Sequence, residues 1–335
     1  MTVAFYAPLK APDHPVPSGD RAMARAVMAA LEMAGYRVTL ATGLRLYDGA
    51  GDADHQDVLM GKAETEVARL LTLPDARDWQ AWVTYHNYYK APDLIGPVVA
   101  RTLGIPYVQV ESTRARKRLT GPWARFAAAA EAASDAAHTI CYVTRRDSET
   151  LRRDAPDGQI LRHLPPFLAQ PDLPTASTLD GPMLSVGMMR QGDKLASYAL
   201  IAETLAALPA GLDWRLDIAG DGAARADVAH LMTPFGARVQ MLGALDAAAL
   251  NERYRRASLL FWPGVNEAFG LAYLEAQAAG VPVVAQDRPG VCDVVSGPQP
   301  QVSDGPVAMA ARIATWLQDT PARRTAGMQA RDTVA

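Results

Sequence analysis

The sequence predicts an α/β protein built from two Rossmann-like domains, each a parallel sheet wrapped by helices, and three observations carry that prediction. Short apolar runs alternate with amphipathic segments along nearly all of the 335 residues, the pattern of βαβ units whose sheets are covered on both faces. The alternation breaks once, in a Pro-, Ser- and Thr-rich stretch between Leu164 and Pro182 that reads as a hinge. The length suits two domains of about 150 residues each. The expected division is residues 1–168, a hinge at 169–180, and residues 181–335. Ligands of open α/β sheets lie beyond the carboxyl ends of the strands, so the two sheets are expected to face each other across a cleft.

The elements follow in order. Val3–Ala7 is a first strand running into a Pro- and Gly-containing loop at Pro8–Gly19. Asp20 is placed to cap a helix whose apolar positions Met23, Val27, Met28 and Leu31 recur at three and four, the spacing of a buried stripe. Gly35 stops it, and Tyr36–Ala41 is the next strand. Residues 44–62, with Asp48, Asp52, Asp54 and Asp57 and few apolar side chains, read as a loop. Further strands are predicted at Ala81–Tyr85, Tyr107–Val110 and Thr139–Val143, with helices at Asp93–Leu103, Pro122–Ser134 and Asp147–Arg153. Beyond the hinge, strands are predicted at Met183–Val186, Trp214–Ala219, Leu259–Trp262 and Pro282–Ala285. Helices are predicted at Ser197–Leu208, Ala224–Met232, Ala247–Arg256 and Pro306–Leu317. No long helix is evident before the closing RDTVA.

Composition excludes several classes. A net charge of −3 argues against a nucleic-acid binder, whose domain is normally strongly basic. Cys141 and Cys292 are the only cysteines and form no CxxC or zinc spacing, so a reducing, cytoplasmic setting is expected. The opening MTVAFYAPLKAPDHP lacks the basic start of a signal peptide, and no apolar stretch approaches the ~18 residues of a spanning helix. GxSxG, HExxH and paired Cys/His nucleophile spacings are absent.

The chemistry concentrates in FWPGVNEAFGLAYLEAQAAGVPVV, Phe261–Val284. Glu267 follows a strand, and Phe269–Gly270 opens a helix that carries Glu275 eight residues later. A helix amino terminus offers the N–H groups of Phe269, Gly270 and Leu271 to an anion such as a phosphate. A glycine at 270 lets the anion approach the backbone. Glu275, one turn beyond Leu271, is placed to accept hydrogen bonds from the hydroxyls of a ribose, and Glu267 lies on the opposite side, where a sugar would sit. Two glutamates at this spacing are also common as plain solvated side chains; the surrounding order of strand, Pro-Gly, Glu, Phe-Gly-Leu and helix favours the site.

On these residues the chain resembles the retaining glycosyltransferases of family 4, the group 1 glycosyl transferases, with the two-domain GT-B fold. EAFGLAYLE matches the family's E-x7-E at Glu267 and Glu275, and GVPVVAQDRPGVCDVV resembles the strand and loop that follow, with Asp293 where a Glu is usual. LSVGMMRQGDK, Leu184–Lys194, is similar to the family's strand and cationic loop, with Gly187 at the turn. The resemblance implies that Arg190 and Lys194 bind the diphosphate, Glu267 orients the donor sugar, Glu275 holds the ribose, and Gly243 borders the base. Arg190 comes later after Gly187 than is usual, so the loop is expected to differ in shape. The implied activity is transfer of a hexosyl unit from a nucleotide-diphosphate sugar to an acceptor hydroxyl with retention. It needs no cofactor and no metal, because fixed cations stabilise the departing diphosphate. GDGAAR at Gly220 is not a dinucleotide fingerprint, because it lacks the third small residue and a following acid.

In the amino-terminal half, Pro17–Ser18–Gly19–Asp20 resembles the loop that closes over sugar and diphosphate, making Gly19 a donor-side candidate. Where many members keep a histidine, this chain has Glu111 and Ser112. His86, at another strand end, is either a satisfied loop histidine or a sugar-side group. Arg114, Arg116, Lys117, Arg118 and Arg125 form a cationic run, either a solvated loop or a surface for an acidic acceptor or anionic lipid. A glycan, a lipid-linked sugar or a small molecule are the acceptor classes expected, with peripheral contact at the inner membrane face as a consequence of the lipid case. A nucleotide-sugar epimerase and a non-catalytic nucleotide-sugar binder are the alternatives on the same fold.

Overall fold

The computed structural model describes residues 1–16, 18–169 and 172–334. Of the segments singled out above, Pro17 in the loop before the first helix, Gln170 and Pro171 in the proline-rich stretch, and Ala335 lie outside the described residues. The chain divides into two compact units, Met1–Pro165 and Pro166–Ala335.

The first unit runs β1 (Thr2–Tyr6), α1 (Gly19–Met33), β2 (Arg37–Leu40), α2 (Ala53–Leu71), β3 (Trp79–Asn87), α3 (Gly96–Leu103), β4 (Tyr107–Ser112), α4 (Ala124–Ala136), β5 (Thr139–Tyr142), α5 (Arg145–Asp154) and β6 (Ile160–His163). Its six strands are parallel, in the order β2-β1-β3-β4-β5-β6. The chain leaves β1 towards β2 and leaves β3 in the other direction, towards β4. The adjacent pair β1 and β3 is therefore the topological switch point, where the connecting loops part and a ligand finds room. The core beside the sheet is aromatic, with Tyr6, Trp79, Trp82, Tyr107 and Phe126 buried.

The second unit runs β7 (Met183–Val186), α6 (Asp193–Ala206), β8 (Leu216–Ala219), α7 (Arg225–Met232), β9 (Val239–Gly243), α8 (Ala247–Tyr254), β10 (Leu260–Phe261), α9 (Leu271–Ala278), β11 (Val283–Val284), α10 (Gly305–Gln318) and α11 (Thr320–Val334). Its five parallel strands are ordered β11-β10-β7-β8-β9. Here the switch point falls between β7 and β10, so the loops carrying Arg190 and Glu267 leave neighbouring strands. Two parallel-sheet α/β domains are thus present, as the strand–helix alternation predicts.

Four expectations need correction. Residues 53–62 are not loop but the start of α2, which buries Gln56, Leu59, Ala63 and Leu70 along one face. The aspartates that hide this helix are its punctuation: Asp52 caps it by accepting from the N–H groups of Asp54 and His55. The cap of α1 is Ser18, not Asp20; the Asp20 carboxylate is engaged by His86 Nδ1 instead, at 3.0 Å. β6 is an added edge strand, unnoticed because its ILRH sequence is mostly exposed. The closing segment is helical: α11 lies against α9, with Gly327 so close to Gly280 that a Cβ would stand 2.1 Å from its carbonyl oxygen, and with Arg331 donating to the Ala278 carbonyl. Among the described residues no helix is long and apolar enough to cross a membrane.

Candidate active site

The site in the second unit is assembled at the carboxyl ends of β7 and β10. Gly187 follows β7, and its bare Cα accommodates the buried Trp262 ring; a Cβ there would meet Trp262 Cη2 at 2.6 Å. The Gly187 carbonyl accepts from the Tyr198 hydroxyl at 2.7 Å, which pins the start of the loop. The loop then turns through Gly192 (φ 81) into α6, so that Lys194 stands in the first turn of that helix. From the other side, β10 ends at Phe261 and Trp262–Gly270 forms the loop into α9. This loop is held by Val265 N–H donating to Ser197 Oγ at 3.1 Å and by Asn266 Nδ2 donating to Asp193 Oδ2 at 2.8 Å. Both bonds tie this loop to the first turns of α6 at the switch point.

These constraints bring Lys194 and Glu267 together although they are 73 residues apart. The Lys194 ammonium donates to Glu267 Oε2, and the same oxygen accepts from the Trp262 indole N–H at 3.0 Å. Lys194 Nζ also lies 5.2 Å from the Trp262 ring centroid, a cation–π contact. Each of the two side chains is 16% exposed, so the pair is screened little and remains reachable. Gly270 caps α9 with φ 63, and no side chain caps that helix. Within the first turn the Tyr273 N–H donates to the Gly270 carbonyl at 2.9 Å, which leaves those of Leu271 and Ala272 without an intrahelical partner. A Cβ at 270 would crowd Tyr273 Cε2 at 2.7 Å and Glu267 Cγ at 3.1 Å.

The remaining sequence-predicted residues are placed as follows. Glu275 does not share partners with Glu267; it accepts from the Tyr254 hydroxyl on α8 at 3.0 Å. Burial pushes its carboxyl above the ordinary range, and the Tyr254 bond only partly counters this. Leu271 opens α9, while Phe269 is buried and contributes main chain rather than ring to the surface. Arg190 is exposed, with no hydrogen bond or ion pair to its guanidinium among the described residues. Gly243 (φ 73) receives the Gly220 N–H at its carbonyl at 2.8 Å, and a Cβ there would lie 3.4 Å from Arg225 Nη1. Three functional-site neighbours were not singled out from sequence: Trp262, Tyr254 and Asn266. Each reads as an ordinary strand, helix or loop residue until the two loops meet.

In the first unit, Gly19 is the first residue of α1 and a Cβ would meet open space. His86, the residue before the last of β3, has φ 65, and Glu111, the residue before the last of β4, has φ 58, two non-glycine residues in the left-handed region. Besides the Asp20 contact, His86 Nδ1 lies 3.9 Å from Glu111 Oε1. Burial alone would depress the imidazole; the Glu111 and Asp20 charges outweigh it and raise its pKa to about 9. The other Glu111 oxygen, Oε2, is buried and has no hydrogen-bond partner among the described residues. Arg114 is buried and ion-paired to Glu131 at 2.8 Å and Asp135 at 2.7 Å, so its charge is consumed within the unit. Among the described residues no group of three His, Cys, Asp or Glu side chains is arranged to hold a metal ion.

Residues 185–333 match the model of the family described as Glycosyl transferases group 1. A 2-deoxystreptamine glucosyltransferase of Streptomyces kanamyceticus is 26% identical over 263 residues, covering 71% of this chain and 67% of that one. A D-inositol 3-phosphate glycosyltransferase of Corynebacterium diphtheriae is 36% identical over 96 residues, covering 28% of this chain and 22% of that one. Among solved structures, sucrose-phosphate synthase from Thermosynechococcus elongatus superposes with a TM-score of 0.72 at 19% identity, covering 99% of this chain and 94% of that one. Anabaena HepE in complex with UDP-glucose gives 0.69 at 16% identity, covering 100% and 94%. The two parallel-sheet domains are those of GT-B glycosyltransferase structures. The family match lies within the unit that carries Lys194 and Glu267, and it supports a glycosyltransferase of group 1.

Proposed function

We propose that the protein moves a sugar from a nucleoside diphosphate sugar to an acceptor hydroxyl, with retention of configuration and without a metal. The observation that carries this is the Lys194–Glu267 pair at the switch point of the second sheet, beside the uncapped amino terminus of α9. The Lys194 ammonium is paired with the Glu267 carboxylate. A diphosphate offers Lys194 a better partner, joined by the exposed Arg190 and the free α9 amides. Its arrival releases Glu267 from Lys194 while the Trp262 N–H still holds the carboxylate in place, now free to orient the donor sugar. As the sugar–phosphate bond breaks, negative charge grows on the leaving diphosphate, and groups fixed beforehand stabilise it most in the transition state. Retention follows if the leaving diphosphate receives the acceptor's proton on the face it departs from. Glu275, steadied by Tyr254, serves the ribose.

UDP-glucose is the first donor to test, since Anabaena HepE is the structural relative seen with it. Thermal unfolding with UDP-, GDP- and ADP-sugars should show one nucleotide stabilising the wild type by about 2.7 kcal/mol at 100 times its Kd. Lys194→Gln should lose that response. A flat response to all three sinks the reading. Transfer to an acceptor, with the anomeric configuration read by NMR and the rate unchanged by EDTA, tests retention and metal independence.

A further inference from the structure

The cationic run of the first unit changes meaning once its partners are seen. Arg114 is spent on Glu131 and Asp135, Arg116 pairs with Asp154 at 2.9 Å, and Arg125 pairs with Asp57. Arg118 has no carboxylate partner among the described residues. It turns onto two aromatic rings, with its guanidinium carbon 5.0 Å from the Tyr89 centroid and 5.4 Å from that of Trp123. A second cation shares both rings: Lys90 Nζ lies 5.8 Å from Tyr89 and 5.1 Å from Trp123. It too has no carboxylate partner among the described residues.

This arrangement is built rather than incidental. A tight turn, with reciprocal hydrogen bonds between Tyr88 and Ala91, puts Tyr89 and Lys90 at its tip, just past the carboxyl end of β3. Asp48 ties the parts together. Its N–H donates to the Lys90 carbonyl at 2.9 Å, and its own carbonyl accepts from the Trp123 indole at 3.1 Å. The Asp48 carboxylate makes no ion pair with either cation among the described residues; it accepts from the N–H groups of Ala50, Gly51 and Asp52 and from Gln56 Nε2. Those bonds hold it below the usual carboxylate range despite its burial. The Tyr89 and Trp123 rings stand perpendicular, centroids 5.8 Å apart, and Arg118 Nε is buried with no hydrogen-bond partner among the described residues. Two like charges that share one pair of rings repel, and cation–π contacts neutralise neither of them. A dianion placed between them removes the repulsion. A phosphate monoester fits, taking the planar fork of Arg118 on two oxygens and the point charge of Lys90 on another.

We propose that Lys90 and Arg118, seated on Tyr89 and Trp123, form a phosphate-binding subsite at the carboxyl edge of the first sheet. The group it takes is a phosphate carried by the acceptor; that role rests on the glycosyltransferase reading, whereas the binding itself does not.

The test uses the full chain carrying Arg190→Gln and Lys194→Gln, so that the donor cations do not contribute. Calorimetric titration with inorganic phosphate at constant ionic strength should show saturable binding. Adding Lys90→Gln and Arg118→Gln should weaken it at least tenfold, and Arg118→Lys, which keeps the charge and loses the fork, should fall between and serves where the glutamine variant does not fold. No saturable binding in the parent, or binding that both glutamine substitutions leave unchanged, overturns the proposal. UDP binding to the wild type is measured alongside. Phosphate binding at Lys90 and Arg118 with no UDP binding sinks the donor reading alone, and the reverse sinks the subsite alone. Cosedimentation with phosphatidic acid vesicles, lost in the glutamine variant, assigns the phosphate to a lipid; phosphate binding without cosedimentation assigns it to a soluble acceptor.

Discussion

His86 gives the first unit a pH-dependent stability that can be worked from its neighbours. The imidazole is largely buried, and burial penalises its charged form. Against that, Nδ1 sits 3.0 Å from Asp20 Oδ1 and 3.9 Å from Glu111 Oε1, and Asp147 adds a smaller charge from the start of α5. The carboxylates win, and the folded-state value is about 9 against an ordinary 6.5. Because the folded state binds this proton more tightly than the unfolded chain, the linked stability is fully present below pH 6.5 and is lost as pH rises through 9. The difference corresponds to about 3 kcal/mol. His86→Gln removes the linkage. Urea unfolding of wild type and variant between pH 6 and 9.5 should show their stability difference shrinking by about that amount as pH rises, while groups common to both cancel. NMR titration of the His86 ring should give a midpoint near 9 that Glu111→Gln and Asp20→Asn each lower. A ring that titrates at or below 6.5, or a stability difference flat across this window, refutes the reasoning.

Gly187→Ala should lower stability by roughly 1–3 kcal/mol, since the new Cβ strikes a buried Trp262 ring with no room to turn. It should also weaken nucleotide-sugar binding by displacing the indole from Glu267; thermal unfolding with and without UDP-sugar reads both effects. Asp93→Ala strands four donors that now meet the buried carboxylate, the Thr84 and Tyr107 hydroxyls and the N–H groups of Ile95 and Gly96. At about 1–3 kcal/mol per orphaned group, a loss of roughly 3 kcal/mol or more is expected in urea unfolding. Tyr254→Phe removes the hydroxyl that eases the burial of ionised Glu275. Folded Glu275 already holds its proton above the ordinary carboxylate range, so its charge opposes folding as pH rises. The variant should therefore lose about 1.5–3 kcal/mol at pH 8 and less at pH 4.

What the sequence disclosed, and what it withheld, divide along a physical line. Strands that are buried on both faces announce themselves as apolar runs, so β1, β7 and β8 are readable from their residues alone. α2 hides because its start, Asp52-Ala-Asp-His-Gln-Asp57, is polar and its apolar stripe begins only at Leu59. In isolation an Asp cluster signals loop and helix start alike. β6 hides because an exposed edge strand has no reason to be apolar. In the candidate site, Glu267, Gly270 and Glu275 are legible because they lie within a few positions of one another around the amino terminus of α9.

Partners that come from other strands carry no such local mark. Trp262 is chosen by the space beside Gly187 and by the carboxylate five residues on. Tyr254 is chosen by Glu275 from the far end of another helix. The cationic run shows the limit most sharply. Arg114 and Arg118 are four residues apart and chemically alike in sequence, yet one meets Glu131 and Asp135 from α4 while the other meets only rings and a second cation. Local charge density therefore fails as a guide to surface potential: what counts is which arginine the fold leaves without a carboxylate, and that is settled by how α4 and the turn after β3 are anchored to Asp48.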